Sequence, residues 1–287
     1  MLPAPTAGPR WSPPSAMADR YELLPFGAAE SEAAAVSPPL VVTLTCSPRH
    51  GIDHSLDVAE RLAEGGHQVV PHLAARMLRD AAHLEAVLAR LAAAGLDDVF
   101  VIAGDAHEPL GPFASAVDLL PVLAAHHLRP RRIGIGGYPE GHPLITAPAL
   151  DEALARKAPL ADYLVTQMCF DPEAVTGWIE RTRAAGIGLP VYLGLPGAVD
   201  RRRLLEVSMR VGVGTSISFL RKQHGIRGFL GRPHHAADHL HEAFAPLAGD
   251  PALGVAGLHF FTFNRLQATL AWQAEAHRAE TEVAADA

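Results

Sequence analysis

Cysteine is nearly absent: Cys46 and Cys169 are the only two in 287 residues. That excludes a disulfide framework and fits the reduced core thiols of a cytoplasmic protein. Positive charge is also short. Lys and Arg number 24 against 31 Asp and Glu, a formal charge of −7, which gives no electrostatic footprint for nucleic acid. No basic run suggests a membrane surface, and no apolar segment reaches the roughly 18 residues that span a bilayer. Three nucleotide and hydrolase signatures are missing too. There is no GxSxG, no Walker loop, and no GxGxxG opening a helix, since Gly134-Ile135-Gly136-Gly137 closes a strand-like run. Residues Met1–Ala18 lack the basic and apolar regions of a secretory signal. Their Pro, Ala, Ser and Gly content suggests a disordered extension.

What is present is a hydrophobic content of 49%, enough for one large domain with a full core. Eight apolar runs with Gly/Pro punctuation read as strands: Tyr21–Phe26, Leu40–Cys46, Gln68–Leu73, Val99–Gly104, Ile133–Gly137, Tyr163–Phe170, Val191–Leu195 and Val255–Phe263. Helix-like segments lie between them. Leu84, Val87, Leu88 and Leu91 form the clearest stripe, stopped by Gly95. Asp171-Pro172 reads as a helix cap followed by proline in the first turn. The first connection, Gly27–Ser37, is too short for more than a small helix. Gly212–Gly254 is long enough for an extra loop and two helices. Arg265–His277 reads as the closing helix.

This alternation fits a (β/α)8 TIM barrel or a doubly wound open sheet, and the count of eight favours the single-domain α/β barrel. The domain reading is an extension over 1–18, a catalytic barrel over 19–277 and a frayed tail over 278–287.

In a barrel the chemistry sits just past the C-terminal ends of the strands. The stretch Arg132–Pro143, RIGIGGYPEGHP, places a phenol, a carboxylate and an imidazole there. Glu22 lies inside the apolar YELLPF run. It is either a buried acid, whose desolvation raises its pKa into the range of a general acid, or an exposed residue at the barrel end. Asp105 follows Gly104 at the end of strand four. It reads as a rim carboxylate or as a helix N-cap, and Gly104 permits close approach of backbone or ligand. His72 ends strand three, Gln167 offers a donor and an acceptor on strand six, and Arg265 closes the last strand facing anionic groups. His234, His235, His239 and His241 crowd one segment without a known metal-ligand spacing, and a solvated helix face explains them better than zinc. The Arg201–Arg203 run reads as helix surface.

Together these segments resemble the methylenetetrahydrofolate reductases, in order and spacing over roughly Tyr21–Ala271. YELLP is similar to the family's Phe-Glu-Phe-Phe-Pro, VPHL to its Pro-His-Leu, and IAGDAHEP to its Leu-Arg-Gly-Asp-x-Pro turn. VVTLTCSP is similar to its second-strand Val-Thr segment, and YPEGHP to Tyr-Pro-Glu-x-His-Pro. TQMCFD resembles Thr-Gln-x-x-Phe-Asp, and LHFFTFNR resembles His-Phe-Tyr-Thr-Leu-Asn-Arg.

The resemblance implies reduction of 5,10-methylenetetrahydrofolate to 5-methyltetrahydrofolate with NADH or NADPH, usually through FAD. It implies that Glu22 protonates the substrate to open its ring and that Asp105 stabilises the resulting cation. Gln167, Phe263 and Arg265 would bind the folate. Thr45, His72, Gly104, Tyr138, His142 and Lys157 would hold the cofactor, with Asp151 matching a further cofactor contact.

Two departures bear on the flavin. Ala103 stands where the family carries an arginine that holds the flavin phosphates, and Cys46-Ser47-Pro48 replaces Tyr-Gly-Ala near the isoalloxazine. They favour direct hydride transfer from the nicotinamide over a weakly bound FAD. A non-catalytic folate-binding paralogue is the rival from another class. The expected partner is thus a reduced folate, with no nucleic acid and no membrane.

Overall fold

The computed structural model describes residues 19–198, 235–248 and 250–285. Eight parallel strands close in sequence order: β1 (Arg20–Leu23), β2 (Val41–Leu44), β3 (Gln68–Ala74), β4 (Asp98–Ile102), β5 (Arg132–Gly137), β6 (Tyr163–Met168), β7 (Val191–Pro196) and β8 (Val255–Phe261). Every strand overlaps its expected run. The closure excludes the open sheet, because β1 pairs with β8 through Arg20–His259, Tyr21–Phe260 and Glu22–Phe261.

Eight α-helices are described: α1 (Ala29–Ala34), α2 (Gly51–Glu64), α3 (Ala81–Ala93), α4 (Ala116–Ala124), α5 (Ala147–Lys157), α6 (Pro172–Ala184), α7 (His235–Ala248) and α8 (Leu266–Ala285). Local chemistry sets their ends. Asp80 caps α3 by accepting the His83 N–H at 2.7 Å, and its Leu84, Val87, Leu88 and Leu91 stripe is buried. Asp171 caps α6, its Oδ1 accepting the N–H groups of Glu173 and Ala174. α8 is longer than the Arg265–His277 segment expected of it, because nothing in the AHRAETEVAA stretch breaks a helix. Of the Gly212–Gly254 insertion, α7 and 250–254 are described. The rest of that segment, Arg201–Arg203 and the side chains of His234, His235 and His239 lie outside the described residues. His241 packs edge-on against Trp272, ring centres 5.6 Å apart.

Two apolar layers result. The larger lies between strands and helices, with Leu23, Leu44, Leu73, Leu88, Ile135 and Leu193 fully buried. The smaller fills the barrel itself with Val70, Phe100, Tyr163, Val165, Tyr192 and Ala256. A Cβ at Gly134 would lie 2.3 Å from the Tyr163 ring, so the glycine run of β5 makes room for an aromatic plug.

Beneath that plug, at the N-terminal strand ends, Arg20 is 2% exposed. Its guanidinium lies 4.2 Å from the Tyr163 ring centre and 4.1 Å from that of Tyr192. Arg20 donates to Asp98 Oδ2 at 3.2 Å, and the Tyr163 hydroxyl donates to Asp98 Oδ1 at 2.8 Å. Arg132 adds a third partner to Asp98 at 3.6 Å. Burial opposes the Arg20 charge, but Tyr163, Asp98 and Tyr192 outweigh it and raise its pKa. Burial raises the pKa of Asp98 against the pull of Arg20 and Arg132.

Candidate functional site

At the opposite end of the barrel, Glu22 shares the inward face of β1 with Arg20, because side chains two apart on a strand point the same way. Its side chain is 13% exposed, which places it inside the barrel mouth, not on the outer end. Oε2 lies 3.3 Å from His259 Nε2 on β8 and 3.8 Å from His72 Nε2 on β3. Burial lowers the His72 pKa to about 4; the Glu22 charge opposes that shift and His259 adds to it. His72 is therefore neutral at physiological pH. Its ring rests on Phe100, centres 4.8 Å apart. Thr43, the register neighbour of Glu22 on β2, has a buried Oγ1 without a hydrogen-bond partner, as have His72 Nε2 and His259 Nδ1. Buried polar atoms in proteins are nearly always paired, so this layer is chemically unsaturated.

Asp105 is exposed on the β4–α4 loop. Its charge helps raise the pKa of Tyr138, whose main cause is burial. Two devices shape that loop. Gly104 has φ +86°, and a Cβ there would meet the Ala74 Cβ at 2.8 Å, so the close approach is by the Ala74 methyl at the end of β3. Arg76 holds the other side: Nε donates to Ala114 O at 2.7 Å, Nη1 to Ala106 O at 3.2 Å, and its backbone N–H to Ala103 O.

Tyr138 and His142 meet edge-on at 5.4 Å, so the YPEGHP turn does bring its phenol and imidazole together. Its carboxylate turns away. Glu140 Oε1 accepts the N–H groups of Phe170 and Asp171 at 2.5 and 3.0 Å, bridging to the β6–α6 loop.

A cavity of about 460 Å³ opens beside β4 and β5, lined by Ala103, Tyr138, Asp151, Lys157, Trp178 and Arg181 among others. Lys157 is buried, donates to Gly136 O at 3.1 Å, and has its pKa lowered by burial to about 8. A lysine and an arginine suit phosphate, a carboxylate suits ribose hydroxyls, and the volume is that of a small-molecule site.

The remaining expected residues sit on separate strand ends. Thr45 follows β2, half-buried, its N–H donating to Leu23 O. Gln167 lies where the β6–β7 register shifts, and its Oε1 accepts the Met168 N–H at 2.8 Å. Phe263 and Asn264 both adopt left-handed backbone, φ 52° and 58°, a conformation that costs on the order of 1 kcal/mol or more and is retained where surroundings enforce it. Asn264 is the enforcer, bonding Leu24 N, Leu24 O and Phe26 O across the β8–β1 seam. Arg265 follows, its N–H donating to Thr262 O.

His259, Thr43, Arg76 and Arg181 escaped the sequence reading. Only His259 left a signal, a polar residue in phase with Phe261 on an apolar strand. Among the described residues, Glu85, His126 and His127 form a group with metal-ligand atoms in reach. However, His126 Nδ1 accepts the Leu128 N–H, so its Nε2 carries the proton that meets Glu85 at 2.9 Å. No described helix is long and apolar enough to cross a membrane.

A family model described as methylenetetrahydrofolate reductase matches residues 28–207. Methylenetetrahydrofolate reductase 1 of Schizosaccharomyces pombe is 30% identical over 122 residues, which are 39% of this chain and 20% of that protein. Methylenetetrahydrofolate reductase 2 of Saccharomyces cerevisiae is 34% identical over 89 residues, 30% of this chain and 15% of that one. The matched segments thus span a fifth or less of these relatives. Among solved structures, an uncharacterized protein from Clostridium thermocellum that binds two copies of 5-methyl-5,6,7,8-tetrahydrofolic acid superposes with a TM-score of 0.58. It is 11% identical, with 90% of this chain and 93% of that one covered, which is a likeness of fold.

Proposed function

The chain belongs to the methylenetetrahydrofolate reductase family, and on that premise we propose that its barrel, residues 19–277, reduces 5,10-methylenetetrahydrofolate to 5-methyltetrahydrofolate with NADH or NADPH. The observation that carries the reading is Glu22, an acid enclosed at the barrel mouth between two histidines. A protein that only bound folate would gain nothing from it.

Glu22 gives its proton to the bridging nitrogen of the substrate. The five-membered ring opens and leaves a methylene iminium, which then needs a hydride at carbon. The Asp105 carboxylate opposes the iminium charge on the rim, as electrostatic stabilisation requires. Gln167 and Phe263 hold the pterin, and Arg265 faces the carboxylates of the folate tail. Thr45, His72, Gly104, Tyr138 and His142 line the cofactor side. Enclosure of Glu22 keeps bulk water from the reactive cation.

The donor set of the side cavity fits the nucleotide half of a dinucleotide. Lys157 and Arg181 would take phosphate, Asp151 the ribose hydroxyls and Tyr138 an aromatic face. NADH and FAD share that half. Ala103 and Pro48 favour the nicotinamide, which supplies a hydride that the iminium can accept without a flavin relay.

The test is an absorbance spectrum of the purified chain, then NADH oxidation with methylenetetrahydrofolate and no added flavin. A colourless protein that turns over supports direct transfer. Activity only after FAD addition moves the reading to a weak flavin site, and no activity in either case defeats it. Glu22→Gln should lower turnover on the order of 10²–10⁴-fold while folate binding persists.

A further inference from the structure

We propose that His259 is the positioning residue for the Glu22 acid, holding Oε2 so that Oε1 is the oxygen presented to substrate. The inference rests on the role proposed for Glu22.

His259 is 1% exposed, and its ring is fixed edge-on against Phe261 with centres 4.9 Å apart. A neutral imidazole carries one proton on one of its two nitrogens. On Nδ1 that proton would be a buried donor with no acceptor. On Nε2 it meets Glu22 Oε2 at 3.3 Å, and Nδ1 is left as a lone pair. Orphaned buried donors are rarer than orphaned acceptors, so the Nε2–H tautomer is assigned.

The other polar groups facing this pair are otherwise disposed. His72, across the barrel on β3, is neutral and 3.8 Å from the same oxygen. Arg20, the register neighbour of His259 on β1, has its guanidinium on Asp98. On β7, Gly194 is the register neighbour, and the Tyr192 ring faces Arg20. Among the described residues His259 is then the side chain within hydrogen-bond distance of this carboxyl.

A donor to a carboxylate stabilises the charged form. Turnover that needs protonated Glu22 falls as pH rises, and removal of the donor favours the protonated form, so the fall moves to higher pH. Loss of the fixed oxygen lowers kcat and leaves the folate KM nearly unchanged, because His259 lies behind Glu22.

The discriminating variants are His259→Gln, whose amide N–H reaches the Nε2 position, and His259→Asn, which is too short. We expect His259→Asn to lose about tenfold or more in kcat, with KM within about twofold and the alkaline limb shifted upward. His259→Gln should restore both. An infrared titration of the Glu22 carboxyl stretch, with Glu22→Gln as blank, reads the same coupling without substrate. A midpoint identical in wild type and His259→Asn would overturn the proposal. A midpoint that moves in a protein that does not turn over folate would leave this inference standing and defeat the proposed reaction. Nitrogen-15 spectra of the wild type serve if His259→Asn does not fold: an Nδ1–H tautomer there would also overturn it.

Discussion

At the N-terminal end of the barrel a carboxylate, Asp98, meets two guanidiniums and a phenol. At the C-terminal end another carboxylate, Glu22, meets two imidazoles, one of them beyond hydrogen-bond reach. Both are enclosed, and they differ in how far they are satisfied. Asp98 has cations and donors within contact. Around Glu22 stand three buried polar atoms with no partner. Unpaired buried polar groups cost stability; the rim carries three of them around one carboxylate, and the floor carries one, Arg20 Nη1. The same strand, β1, contributes to both through residues two apart. The lesson is that a barrel separates holding from doing along its axis.

Four substitutions would sharpen or break that contrast. Asp98→Ala leaves Arg20 as a buried charge without its carboxylate, and removing one partner of a buried pair costs about 3–5 kcal/mol. Denaturant unfolding should show that loss, with turnover per folded molecule unchanged; a drop in kcat instead would tie the floor to the chemistry.

His72 tests the rim by pH. Its pKa falls from 6.5 to about 4 on folding, so between those values the unfolded chain binds the extra proton and stability rises with pH. At about 1.4 kcal/mol per pH unit, about 3 kcal/mol is lost as pH falls from 6.5 to 4. His72→Phe should flatten that part of the stability curve. An unchanged slope would mean that another group sets it.

Lys157→Met should weaken nucleotide binding about tenfold, or about 1.4 kcal/mol, by calorimetry with NADH, while the fold loses no stability at neutral pH. Equal affinity would remove the side cavity from the proposed site. The smallest effect is at Asp171, which caps α6 at the rim end. Asp171→Ala should cost about 1 kcal/mol in thermal unfolding and leave turnover unaltered.

The strands were legible because a parallel barrel buries both faces of each, so short apolar runs stand out. Glu22 and Asp105 could be singled out because a carboxylate beside such a run needs explanation. What could not be read was pairing across the barrel. Nothing near Glu22 in the chain points to His259, which lies 237 residues away, or to the depth at which His72 is enclosed. Glu140 shows the opposite failing: it stands in the most conspicuous motif and serves to bridge two loops. Arg181 lies on a helix whose cavity-facing side no periodicity marks, and Arg76 acts through carbonyls, which sequence cannot locate.

The seam between β1 and β8 has a kinetic consequence. Among the described strand pairings it spans the most sequence, and non-local pairings are slow to form. Glu22 and His259 stand on opposite sides of it, and Asn264 stitches it shut above them. A nascent chain holding the first seven strands carries the acid without its partner. The pairing of that carboxyl with its imidazole therefore arises only when the ring of strands is completed.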